Sequence, residues 1–269
     1  MRIFDFVPEG VSDCRVSAWL HMDGVRVGLT NRKRPAIMIC PGGGYGSLSD
    51  REAEPVAKAY FAAGYHTFIL RYSVLEQATD FKPLIQLAST MTHIRKNAGT
   101  WSVDGERIAV CGFSAGGHLA GSLGTLFNEP RFLEHFRRDD HIRPDAMILG
   151  YPVITSDEFA HVNSLSRVSG TKPGEEAYRW FGLDGHVDAE TPPTFLWHTA
   201  EDAVVPVENS LKMAAALSAA KVSFEMHILP KGPHGMSVCN ETVGSKCEYN
   251  ARWIDWSLLW LNRIFEFEN

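Results

Sequence analysis

No stretch of this chain approaches the roughly 20 consecutive apolar residues of a membrane-spanning helix, so no membrane span is expected. Basic charge is scarce as well. The formal net charge is −6, which leaves no basic surface for nucleic acid. Five cysteines are present. They form no metal-like pairs, and an odd number cannot complete a disulfide framework. The opening MRIFDFVPEG has acidic residues early and no apolar core segment, so no secretory signal is expected. Cys239 and Cys247, which a loop could bring together, are then expected to be reduced, in a cytoplasmic protein. Internal repeats and low-complexity tracts are missing too. What is present is 269 residues at 45% hydrophobic content, enough to bury a large core in a single domain spanning residues 1–269.

The most informative segment is RIAVCGFSAGGHLA at residues 107–120. It reads as a buried strand, a sharp turn and a helix of small residues. At the turn stands G-x-S-x-G, Gly112 to Gly116, in the strand–turn–helix context that a nucleophile elbow requires. A serine on so tight a turn brings its neighbours two positions away close together, and only glycine leaves room. The turn lifts the Ser114 hydroxyl clear and aims the Ala115 N–H at whatever the serine attacks. Taken alone, the motif also fits a glycine-rich turn of a nucleotide-binding domain.

Three further elements bear on that choice. Residues 35–40 (PAIMIC) form a continuous apolar run, as in a parallel strand covered on both faces. It leads into PGGGYG at residues 41–46. Ester cleavage passes through a tetrahedral oxyanion, which needs preorganised N–H donors; Gly43 and Gly44 are candidates beside Ala115. The competing phosphate-cradle reading lacks the lysine of G-x-x-x-x-G-K-[ST] and the spacing of G-x-G-x-x-G. Residues 194–206 (TFLWHTAEDAVVP) form a short strand whose following loop carries Asp202. Residues 222–235 end a strand in a Pro/Gly loop carrying His234.

The chemistry assigns the roles. A serine hydroxyl is a weak nucleophile at neutral pH and needs a base, His234. Asp202 would orient the imidazole and stabilise its protonated form. Glu201 adjoins Asp202 but points to the opposite side of an extended segment, so Asp202 is preferred. His198, inside a strand, reads as a structural histidine, and His118 reads as packing.

With these residues in place, the chain resembles α/β-hydrolases of the esterase/lipase group, which include hormone-sensitive-lipase-like and acetyl-xylan-esterase-like carbohydrate esterases. PGGGYG, GFSAGGHLA, HTAEDAVVP and GPHG carry the resemblance, across nearly the whole chain. The order Ser114, Asp202, His234 is the one this fold imposes, each at the C-terminal end of a strand. Pro41 departs from the usual H-G-G-G of the hormone-sensitive-lipase-like branch. It points toward the P-G-G-G-[YF] set, similar to esterases of acetylated sugars. The resemblance implies a metal-independent serine esterase without cofactor, deacetylating small sugars or xylo-oligosaccharides. Open alternatives are a general short-chain carboxylesterase and a serine peptidase of the same fold. A binding protein on an inactive scaffold is disfavoured because all three residues are present.

The remaining pattern fits an α/β fold with a mostly parallel sheet flanked by helices. Strands are expected at 66–72 and 146–151, and helices at 52–63, 83–98, 207–219 and 250–265. An N-terminal hairpin is expected from 15–20 and 25–29 about Asp23-Gly24. Residues 154–191, polar and rich in glycine, read as a small cap with a helical piece near 175–181, or as a plain surface excursion. Tyr45, Tyr151 and Trp180 are candidate substrate contacts.

Overall fold

Alternation within the strands sets the two faces of the core. In β3 (Arg34–Cys40), Ala36, Met38 and Cys40 face one hydrophobic cluster, while Ile37 and Ile39 face another. The same period of two recurs in β5 (Val103–Phe113): Ile108 and Val110 face one side, Ala109, Cys111 and Phe113 the other. Strands covered on both faces read as unbroken apolar runs, which is why they are visible in the sequence.

The computed structural model describes residues 1–22, 32–136 and 141–268. Among these residues, one sheet of eight strands runs in the order β1-β2-β4-β3-β5-β6-β7-β8. The remaining strands are β1 (Arg2–Phe6), β2 (Arg15–Leu20), β4 (His66–Arg71), β6 (Ala146–Gly150), β7 (Thr194–Thr199) and β8 (Phe224–Leu229). β1 and β2 are antiparallel to their neighbours, and every pairing from β4 through β8 is parallel. Helices α1 (Glu54–Ala62) and α9 (Glu248–Phe265) cover one face. On the other lie α2 (Lys82–Lys96), α4 (Ala115–Leu126) and α8 (Glu208–Ala219). The short helices α3 (Ala98–Trp101) and α5 (Pro130–Leu133) lie at connections.

Two expectations change. β2 pairs with β1 and β4, whereas the expected partner at 25–29 and its Asp23-Gly24 turn lie outside the described residues. β1 is a half-exposed edge strand, so it lacks the continuous apolar run that marks the others. The helix expected over 52–63 is split: Asp50–Glu52 is a 3-10 turn, and α1 begins after Ala53, with Pro55 in its first turn.

Between β6 and β7 the chain forms α6 (Val162–Ser169), α7 (Glu176–Trp180) and a 3-10 turn at Leu183–Gly185. α6 was not legible in advance. Its stretch, VNSLSRVS, is short and half polar.

Candidate active site

β5 delivers Ser114 into a turn of left-handed φ, +54° with ψ −121°, immediately before α4. A non-glycine residue is strained there, and it persists where its surroundings over-determine it. Three backbone bonds do so: Ser114 N–H donates to Gly150 O, while Ser114 O accepts from His118 and Val153. The glycines are sterically required. A Cβ on Gly112 would stand 2.0 Å from Gly116 O, and one on Gly116 would stand 2.1 Å from Cys40 O. α4 is buried on all sides, which explains its small residues.

The loops after β7 and β8 converge on this turn. His234 Nε2 stands 2.9 Å from Ser114 Oγ, and His234 Nδ1 stands 2.7 Å from Asp202 Oδ2. With its proton on Nδ1, the imidazole donates to Asp202 and accepts the serine hydroxyl. Asp202 Oδ1 accepts the N–H groups of Val204 and Val205, both at 2.9 Å. Burial pushes the Asp202 carboxyl up, but hydrogen bonds from His198 and His234 outweigh it and hold the group well below the usual range. Glu201 is exposed and takes no part.

His198 does more than pack. Its Nδ1 is 2.8 Å from Ser210 Oγ, and its Nε2 lies 2.9 Å from Val205 O and 3.3 Å from Asp202 Oδ2. It braces the same carboxylate oxygen that His234 meets. Only its four-residue offset from Asp202 hinted at this.

The loop after β3 supplies the third part. Gly43 and Gly44 have left-handed φ of +129° and +64°. Gly43 O accepts the amides of Gly46 and Ser47, and Gly42 O accepts that of Ser49. Among the described residues, the amides of Gly43, Gly44 and Ala115 have no acceptor. α6 leans on this loop. Arg167 donates to Gly44 O at 2.8 Å. His161 Cε1 and Ser164 Oγ lie 3.8 Å from where a Cβ on Gly44 would stand. His161 Nδ1 is 2.7 Å from Ser164 Oγ. Burial, then the nearby charges of His234 and Arg167, push its imidazole below the ordinary range.

The three aromatic candidates do other work. Tyr45 is fully buried with its hydroxyl 2.9 Å from His118 Nδ1, so it offers no polar atom to a substrate. His118 Nε2 in turn bonds Phe181 O at 2.9 Å, and burial pushes this imidazole down to about 4. Tyr151, 2% exposed, sets its ring edge-on to His234 at 5.0 Å and gives its hydroxyl to Glu52. Trp180 packs edge-on against Phe81 and Phe181, fastening α7 to the core. A role that sequence patterning did not reveal belongs to Glu52, a buried acid beneath the glycine loop.

The BD-FAE family model matches residues 28–217. The chain belongs to the BD-FAE family. It is 37% identical to endo-1,4-beta-xylanase B of Butyrivibrio fibrisolvens over 88% of this chain and 36% of that protein. It is 28% identical to the acetylxylan esterase of Xylanibacter ruminicola over 74% of this chain and 40% of that one. The chain thus spans well under half the length of these two curated relatives. Among solved structures, the acetyl ester-xyloside bifunctional hydrolase of Caldicellulosiruptor lactoaceticus superposes with a TM-score of 0.81 at 33% identity, covering 95% of this chain and 89% of that one. This BD-FAE member has the α/β-hydrolase fold, and the proteins it resembles include esterases. Among the described residues, no helix is long and apolar enough to cross a membrane.

Proposed function

We propose that the chain cleaves carboxylic esters through a Ser114–His234–Asp202 triad, removing acetyl groups from small acetylated sugars or xylo-oligosaccharides. The observation that carries this reading is the relay of 2.7 Å and 2.9 Å ending on Ser114, next to a glycine loop whose Gly43 and Gly44 amides have no acceptor among the described residues. Ser114 Oγ attacks the acetyl carbonyl while His234 Nε2 takes its proton. The carbonyl oxygen becomes an oxyanion held by the three amides. His234 then protonates the sugar oxygen as the acyl C–O bond breaks. Water repeats the sequence on the acetyl-enzyme and releases acetate. No step calls for a metal or cofactor, so a chelator is expected to leave the rate unchanged.

Residues 154–191 act as a small cap in this reading, because Arg167 of α6 reaches the oxyanion loop at Gly44 O. An acetylated-sugar substrate is supported by the acetyl-ester and acetylxylan activities named for two relatives. The five cysteines are free thiols, in keeping with a reducing cytoplasmic setting where imported oligosaccharides would be trimmed.

A paired assay of wild type and Ser114→Ala tests the proposal, using p-nitrophenyl acetate, butyrate and octanoate, acetylated xylo-oligosaccharide and an aminoacyl-p-nitroanilide. Acetate-selective activity lost in the variant, with acetate freed from the oligosaccharide, is expected. Preference for longer acyl chains would make the protein a general carboxylesterase. Cleavage of the anilide alone would make it a peptidase.

A further inference from the structure

Glu52 is 3% exposed, and among the described residues no lysine, arginine or histidine pairs with it. Its Oε2 accepts the Gly42 N–H at 2.8 Å, and its Oε1 accepts the Tyr151 hydroxyl at 2.7 Å. That hydroxyl itself accepts the N–H of Ser237 at 3.0 Å. Burying a carboxylate without a cation is unfavourable. Its two hydrogen bonds offset only part of that cost, because neither partner carries a positive charge. The placement of this acid therefore calls for another reason.

Its partners supply one. We propose that Glu52 is a positioning residue that locks the oxyanion loop and the histidine loop against each other around Ser114. The proposal rests on the triad reading above. On the oxyanion side, Gly42, Gly43 and Gly44 present three successive amides. Glu52 takes the first, and the curl of the loop leaves the next two without acceptors. The carboxylate lies close to the nucleophile: a Cβ on Gly42 would stand 2.7 Å from Glu52 Oε2 and 3.0 Å from Ser114 Cβ.

On the side of the base, Tyr151 is the intermediary. Its ring rests against His234 and its hydroxyl receives the N–H of Ser237, three residues further along the same loop. Ser237 Oγ also donates to the carbonyl of Arg51, the neighbour of Glu52. Residues 51 and 52 are thus stitched to residue 237 at two points. One carboxylate orients the amides that meet the oxyanion and the ring that holds the base.

Glu52→Gln keeps the shape but not the bonding. If its amide oxygen accepts from Gly42, its NH2 end meets the Tyr151 hydroxyl as a donor, so that hydroxyl must turn its own proton away while still accepting from Ser237. Wild type, Glu52→Gln and Tyr151→Phe would be compared for kcat, KM and melting temperature on p-nitrophenyl acetate. Inhibition by trifluoroacetone would be measured alongside. Ser114 Oγ adds to the carbonyl carbon of that ketone, the serine proton passes to His234, and a hemiketal oxyanion forms with no leaving group. It reports the same amides without turnover.

For Glu52→Gln, kcat is expected to fall about 10- to 100-fold with KM changed less than about threefold, and trifluoroacetone should weaken in parallel. Tyr151→Phe, which keeps the ring but cuts the link to Ser237, should lower kcat in the same direction. A purely structural role would lower the melting temperature and leave kcat at the wild-type value in the folded protein. That result in either folded variant overturns the proposal, and should Glu52→Gln fail to fold, Tyr151→Phe decides alone. Failure of the triad reading is separate, because it shows in the Glu52-intact protein. There, a fluorophosphonate labelling some residue other than Ser114, or an active Ser114→Ala, would reveal it.

Discussion

At Ser114 a polar side chain sits on a strained backbone, which holds its hydroxyl fixed against His234 while the residue is only 6% exposed. Removing that hydroxyl touches nothing else in the fold. Ser114→Ala is expected to lose at least about 10³-fold in kcat with an unchanged melting temperature. Asp202→Asn tests the orienting role. It should lower kcat by about 10³- to 10⁴-fold, since an amide can favour the wrong tautomer of His234. His198, already engaged by Ser210 and Val205, cannot take its place. Away from the reacting atoms, His118 predicts a pH dependence of stability. Its imidazole titrates near 6.5 when unfolded and near about 4 when buried. Between those values the unfolded chain binds the extra proton. The stabilisation is therefore complete above pH 6.5 and lost as pH falls toward 4, by up to about 3 kcal/mol. Urea unfolding of His118→Gln across that window should show a flatter slope than wild type.

At the scale of elements, the turn between β5 and α4 works only because three segments meet without side chains between them. Gly116→Ala would drive a Cβ into the carbonyls of Cys40 and Pro41, at 2.1 and 2.3 Å. Backbone cannot yield as a flexible side chain can. A loss of at least about 3 kcal/mol is expected in chemical unfolding, with activity lost together because the oxyanion loop is displaced. α6 makes the contrasting case. Arg167 is exposed, so Arg167→Ala should change stability by less than about 0.5 kcal/mol. It should nevertheless lower kcat/KM several-fold by freeing Gly44; an unchanged value would separate α6 from the site. The elbow was legible in the sequence because its constraint is local: five residues and a strand before them. The contacts of α6 were not, because Arg167 lies far from Gly44 in the chain and belongs to no motif.

At the scale of the whole molecule, the parallel sheet brings loops from four strands to its C-terminal edge. Ser114, Asp202, His234 and the glycine loop follow β5, β7, β8 and β3 in turn. Every one of these pieces lies within this chain, although the curated relatives extend well beyond it. The 269 residues by themselves are therefore expected to fold and hydrolyse p-nitrophenyl acetate without an added domain. Purified protein inactive toward every ester of the series would contradict that.

The central strands, the strand–turn–helix at the elbow and the order Ser114, Asp202, His234 were legible in the chain, while the edge strand β1 was not. Apolar runs buried on both faces and glycines at forced turns are local signals that survive without coordinates. Asp202 rather than Glu201 meets His234, but residues 200–201 form a turn and not the extended segment whose alternation favoured it. What the buried aromatics and polar groups do depends on the packed fold. Tyr45 and Tyr151 turn inward to His118 and Glu52 rather than toward a substrate. Glu52 looks like an ordinary helix-start acid until Gly42 and Tyr151 close over it. The reason is physical: the worth of a buried polar atom depends on partners supplied by remote segments, and linear patterning holds no record of which segments meet.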